Sequence, residues 1–240
     1  MEIIWQSLPR LLEGALLTLE ITALSVAIGL VLAVPLALLR VSRNPLLWTP
    51  AYAYILYFRG TPLLVQLFLI YYGSGQFRPE LDALGLWVFF RQAYFCAALT
   101  LTLNTAGYTA EILRGAIEAV PHGEIEAARA SGMSGWLLYR RIVLPKAFRM
   151  ALPAYSNEVV FLFQATSLVS IISLMDLTGV ARVIAARSFA IYELYIAAGA
   201  IYLVVTYGIL FIFKKVEFRL SGHLRDRKEA EVVVDGVVIR

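Results

Sequence analysis

Charge is scarce in this chain, and so are the side chains that catalysis and metal binding usually need. Only 16% of its 240 residues are Asp, Glu, Lys or Arg. There is one cysteine, Cys96, and the two histidines, His122 and His223, stand alone. A single thiol excludes an internal disulfide framework. No Cys/His spacing suits a metal, and no nucleophile–base pair argues for an enzyme. The chain has no Gly-x-x-x-x-Gly-Lys-[Ser/Thr] loop, so it does not hold ATP in that manner. It has no internal repeat and no low-complexity segment. The first ten residues contain only one basic residue, Arg10. The apolar run that follows is therefore expected to be a retained helix, not a cleaved signal peptide.

What is abundant is apolar sequence. Sixty per cent of the residues are hydrophobic and the mean hydropathy is +0.74, against roughly 45–50% apolar in soluble domains. Such an excess predicts a bilayer protein. Four runs, at 16–39, 93–113, 151–172 and 194–213, are each about twenty residues or longer, enough at 1.5 Å per residue to cross a hydrocarbon core of roughly 30 Å. The stretch 46–76 is apolar but broken by Arg59-Gly60-Thr61-Pro62. Thr61 reads as an N-cap and Pro62 as the first residue of a new helix. One broken span is expected there, with two segments as the rival. The net charge of +4 flanks these runs, which argues for topology and not for nucleic acid. With five spans and the N-terminus outside, all 21 Lys and Arg except Arg10, Arg78, Arg91, Arg182 and Arg187 lie on the cytoplasmic side. The expected fold is an all-α integral membrane bundle of five spans. One transmembrane domain covers 1–220, with a cytoplasmic insert at 115–149 and a charged tail at 221–240. In the tail, Asp235-Gly236 favours a hairpin turn.

The insert is polar and helix-favouring. Pro121-His122-Gly123 breaks the preceding helix. Glu124 to Ala130 forms the next one, and Gly132 ends it in the left-handed conformation. A second short helix is expected at 136–143, stopping before Pro145. Small residues at Ala127, Ala128 and Ala130 would admit a partner backbone. Glu124, Glu126 and Arg129 would offer charged contacts at its rim.

The pattern Glu126-Ala127-Ala128, three residues, Gly132, nine residues, Ile142-x-Leu144-Pro145 resembles the EAA loop of permease subunits of bacterial ABC importers. Phe58-Arg59-Gly60-Thr61-Pro62-Leu63-Leu64-Val65-Gln66 is similar to the RGTPxxVQ segment of the polar-amino-acid branch. The run Leu103 to Ile112 resembles that branch's third-span signature. Val120 to Ala130 and Ala151 to Val159 are similar to the histidine M-type and octopine/nopaline permeases. The resemblance implies import of amino acids, basic ones or opines. It implies a second permease subunit (homologous or identical), two ATPase subunits that bind the ATP, a periplasmic binding protein, and no cofactor in this chain. It assigns ATPase coupling to Glu124, Glu126, Ala127, Ala128, Arg129, Gly132, Ile142, Leu144 and Pro145. The bacterial inner membrane is the expected location.

Four polar residues lie in or beside apolar runs: Glu20, Asn104, Glu158 and Asp176. A mid-membrane carboxylate costs on the order of 2.5–3.5 kcal/mol on insertion scales. They are expected to line the ligand path, with helix–helix bonding as the alternative. Gln164, Thr166, Ser167, Ser170 and Ser173 form a polar run whose hydroxyls can bond their own backbone. The rival function is an ion-coupled secondary transporter. It would not need the cytoplasmic insert, and such folds often carry internal repeats.

Overall fold

A computed structural model describes residues 2–220. The hairpin expected at Asp235-Gly236 lies outside the described residues. Among these there are helices and no strands. In chain order the α-helices are α1 (Glu2–Arg40), α2 (Pro45–Gly60), α3 (Leu63–Tyr71), α4 (Arg78–Ala83), α5 (Trp87–Phe90), α6 (Ala93–Glu118), α7 (His122–Ala130), α8 (Gly135–Leu138), α9 (Leu144–Ala165), α10 (Leu177–Ser188) and α11 (Ile191–Leu220).

Three rods are long and apolar enough to cross a membrane: Glu2–Arg40, Gly135–Ile172 and Ile191–Leu220. The segments Pro45–Gly60 and Leu63–Ala83 make a fourth only if counted as one span, because they bend by 104° at the break. The expected third span, α6, is 26 residues long but too polar to be counted by apolarity. It is the central helix, packed on α1, α2, α3 and α9. Buried Thr100, Thr102, Asn104, Thr105 and Thr109 face neighbouring helices there.

Small residues let α1 and α6 approach closely, since packing without a hydrophobic driving force depends on contact between backbones. Ser25, Gly29, Ala33 and Ala37 recur every four residues and are all buried. A Cβ on Gly29 would come within 2.5 Å of Thr105 Cγ2. By contrast α11 buries little of its surface and presents Ile196, Val204, Tyr207 and Phe211 outward.

Two sequence expectations are corrected here. Thr61 is not the N-cap of a new helix. It caps the C-terminus of α2, where its N–H and its hydroxyl both donate to Tyr57 O. Proline disfavours helical geometry in the residue before it, so Thr61 is extended, and Pro62 stands as the N-cap of α3 instead of its first residue. Nor does the helix at 136–143 stop before Pro145. It runs through a π turn, Tyr139–Val143, straight into α9. Pro145 has no N–H to give, and its ring would clash with a carbonyl four residues back in a regular helix. The widened turn, in which Leu144 N–H reaches Tyr139 O, accommodates it.

The polar run of the fourth span is 3₁₀ over Thr166–Ile172. Thr166 donates to Phe163 O at 2.6 Å and Ser170 to Ser167 O at 2.9 Å. These hydroxyls satisfy their own backbone, while Ser170 O also accepts from Arg182 Nη2 of α10 at 2.9 Å.

Candidate functional site

The chain presents two candidate regions, a protrusion at one end of the bundle and a cleft at the helix break.

The protrusion is α7 with the turn that follows. Gly132 at φ +82° closes α7. Its N–H donates to Arg129 O at 2.9 Å, and Met133 N–H donates to Ala128 O at 3.0 Å. Those two bonds form a Schellman cap, which needs the left-handed residue that glycine supplies without strain. The expectation for Gly132 is met. Ala128 is different from its neighbours: it is buried in a cluster with Leu113, Val120, Leu138, Val143 and Ala147. Ile142 and Leu144 pack against that same cluster. These three members of the motif hold the protrusion to its own bundle. Glu124, Glu126, Ala127, Arg129, Ala130, Gly132 and Pro145 remain exposed. Lys146 ion-pairs with Glu124 and braces α7 against the start of α9. Sequence reasoning passed over Trp136, which stands 61% exposed beside the exposed motif residues. An indole in a polar insert was the available signal.

The cleft lies where α2 breaks into α3. It has a volume of about 550 Å³ and is lined by Arg59, Thr61, Asn104, Tyr108, Glu158 and Phe161, among others. A helix end buried beside a break leaves carbonyls without partners. Two amides supply them. Gln66 is only 1% exposed, and the two hydrogens of its Nε2 are shared among Phe58 O at 3.0 Å, Thr61 O at 3.1 Å and Thr61 Oγ1 at 2.8 Å. Asn104 Nδ2 donates to Phe58 O at 3.1 Å and to Gln66 Oε1 at 3.0 Å. The amide pair therefore clamps the broken segment onto α6. No side chain caps the first turn of α3, and Leu63 at that turn borders the cleft.

Of the four intramembrane polar residues, the structure brings Asn104 and Glu158 to this cleft. Glu158 is 9% exposed and accepts one hydrogen bond, from Thr105 Oγ1 at 3.0 Å. Glu20 and Asp176 do not border it. Glu20 is exposed on α1 and accepts from Tyr94 OH at 2.8 Å. Asp176 is the N-cap of α10, accepting from Gly179 N–H at 3.0 Å and Thr178 N–H at 3.2 Å. Tight packing surrounds it. A Cβ on Gly14 would come within 2.9 Å of Asp176 O, and one on Gly179 within 2.3 Å of Leu174 O. Asp176→Ala is expected to destabilise the fold by about 1–2 kcal/mol, the usual worth of an N-cap. Asp176→Asn, which keeps an acceptor, should be milder. Thermal unfolding in detergent checks this; an altered KM for cargo with unaltered stability would return Asp176 to the ligand path. Gln66 was missed as a functional residue. The available signal was its place as the last residue of the segment similar to RGTPxxVQ, four places beyond Pro62.

The pattern of the binding-protein-dependent transport system inner membrane component family matches residues 25–222. The nopaline transport system permease protein NocM of Agrobacterium fabrum is 49% identical over 226 residues, covering 94% of each chain. The histidine/lysine/arginine/ornithine transport system permease protein HisM of Escherichia coli K12 is 43% identical over 212 residues, covering 88% of this chain and 89% of its own. Among solved structures, an amino acid ABC transporter crystallised with histidines superposes with a TM-score of 0.78 at 34% identity, covering 89% of this chain and 95% of the other. An inward-facing form of the MetNI methionine ABC transporter shares the fold, with a TM-score of 0.73 at 21% identity over 88% of this chain and 96% of its own.

Proposed function

The chain belongs to the family of binding-protein-dependent transport system inner membrane components, and from that premise we propose that it is the subunit through which an ATP-driven importer passes basic amino acids or opines. Relatives named for nopaline and for histidine, lysine, arginine and ornithine support that cargo class. Each of those ligands joins a carboxylate to a cationic nitrogen. The observation that carries the proposal is the cleft, in which a largely buried carboxylate, Glu158, shares walls with the uncapped first turn of α3. Backbone amides at a helix N-terminus suit a carboxylate, and a buried carboxylate suits a cation. Asn104 contributes through the clamp, since both of its amide hydrogens already have acceptors and only its Oδ1 is left for cargo.

The exposed face of α7, with Glu124, Glu126, Ala127 and Arg129, is the proposed grip for a separate ATPase. Closure of that partner on nucleotide would push α7. The buried Ala128 and the Glu124–Lys146 pair would pass the push to α9, which carries Glu158. The proposed assembly has a second permease subunit, homologous or identical, two ATPases and a periplasmic binding protein. The proposed orientation has the N-terminus outside and the C-terminus in the cytoplasm of a bacterial inner-membrane protein. All the relatives named above are transport-system permeases, which gives the ion-coupled alternative no support.

Uptake by the reconstituted complex tests the reading. Glu158→Gln is expected to raise KM for arginine by about tenfold, the scale of one charge-assisted hydrogen bond, with assembly intact. An unchanged KM for arginine would remove Glu158 from the cargo site.

A further inference from the structure

Adjoining the cleft, on the side of the Arg40 end of α1 and here called the lower one, is a second cavity of about 330 Å³, lined by Arg40, Tyr52, Leu56 and Glu111 among others. Three residues, Arg59, Gly60 and Tyr108, border both spaces. Each space holds one carboxylate, Glu158 in the upper and Glu111 in the lower. Arg59 is within electrostatic reach of both.

The two carboxylates are incompletely matched. Glu111 Oε1 pairs with Arg114 at 2.6 Å, while its Oε2 is buried with no hydrogen-bond partner among the described residues. Glu158 has a single hydroxyl donor. Arg59 is an exposed side chain that makes no ion pair within 4.0 Å among the described residues. Its guanidinium lies 5.3 Å from the centre of the ring of Tyr108, which borders both cavities as Arg59 itself does. Its backbone, in contrast, is pinned. Tyr108 OH donates to Arg59 O, and the Gln66–Asn104 clamp holds the carbonyls on either side. A long cationic arm thus stands on a fixed pivot between two carboxylates.

We propose that Arg59 is a tethered competitor of the cargo cation: it neutralises Glu158 when the cleft is empty, and shifts to Glu111 when the cargo's cationic group takes Glu158. A buried carboxylate without a counter-charge is costly, and two cations at one carboxylate repel. Arg59 therefore offsets the charge of Glu158 across the cleft, without a direct pair, until a better-placed cation arrives. The lower position is the weaker one, because Arg114 already bonds Glu111 and the Arg40 guanidinium, stacked 4.8 Å from the Tyr52 ring centre, lines the same cavity. Arg59 returns once the cargo has left, and the carboxylate is not open to small cations between cycles. The inference rests on the reading of Glu158 as a cargo contact.

The test is arginine uptake by the whole complex in proteoliposomes, with citrulline as the neutral isostere. Arg59→Gln is expected to lower KM for arginine at least threefold and to leave KM for citrulline within twofold. Arg59→Lys should keep the wild-type KM within twofold. The double variant R59Q/E158Q should match E158Q alone. Glu111→Gln removes the lower refuge and should raise KM for arginine at least threefold with little change in kcat, an effect of opposite sign that keeps the test decisive if R59Q fails to assemble. A raised KM in R59Q would mean that Arg59 binds cargo itself and would overturn the proposal. So would an unchanged KM in both R59Q and E111Q while E158Q shows its expected effect. If E158Q has no effect, or the wild-type complex does not import arginine, the cargo reading fails and this inference falls with it.

Discussion

Ala127→Arg is expected to lower ATP-driven uptake at least tenfold while the melting midpoint of the purified permease stays within experimental error. Ala128→Arg, one residue on, is expected to destabilise the protein by at least 3 kcal/mol, the order of an unpaired buried charge. The contrast follows from geometry. Ala127 is exposed on the outer face of α7, while Ala128 is 7% exposed and sits among Leu138, Val143 and Ala147. A bulky cation at 127 has room in the isolated subunit and would obstruct only a partner's surface. At 128 the same group would displace α7 from the bundle. Uptake and thermal unfolding measured side by side separate the two effects. Normal uptake in Ala127→Arg would mean that the exposed face of α7 is not where the motor grips.

Gln66→Leu is expected to be nearly as severe for a different reason. Leucine fills similar space but cannot donate to Thr61 O or accept from Asn104 Nδ2. About two buried polar groups lose partners, at about 1–3 kcal/mol each, giving a loss of about 2–6 kcal/mol. The broken segment at Gly60–Pro62 would also lose its fixed position beside Glu158, so uptake should fall even at temperatures where the variant stays folded. Tyr108→Phe is the control. It removes only the 3.4 Å bond to Arg59 O and should cost about 0.5 kcal/mol or less, the low end for a hydrogen bond. Equal stability of Gln66→Leu and wild type would show that the clamp is dispensable.

How legible these sites were differs from residue to residue. Gly132 was readable because one backbone conformation favours one residue type. The break at Arg59-Gly60-Thr61-Pro62 was visible, but its detail was misassigned, because proline's effect on the preceding residue outweighed Thr61's preference for capping. Pro145 misled for a related reason. A proline argues for an end, and a π turn offers a way round that no local rule anticipates. Among the four polar residues in apolar sequence, spacing along the chain carried no information on which would meet. Asn104 and Glu158 come together because α6 and α9 pack, whereas Glu20 meets Tyr94 at the start of α6 and Asp176 caps its own helix, α10.

By itself the sequence determined a helical membrane bundle with a polar protrusion, because hydropathy, glycine and proline act within a few residues of where they stand; its permease character was legible only through the resemblance of its motifs. Only the tertiary structure decided that Ala128, Ile142 and Leu144 face inward, that Gln66 and Asn104 close the broken helix, and that Arg59 stands between Glu158 and Glu111. Those facts depend on which helix faces are opposed, and in this bundle that is set by close approach at small residues far apart in the chain.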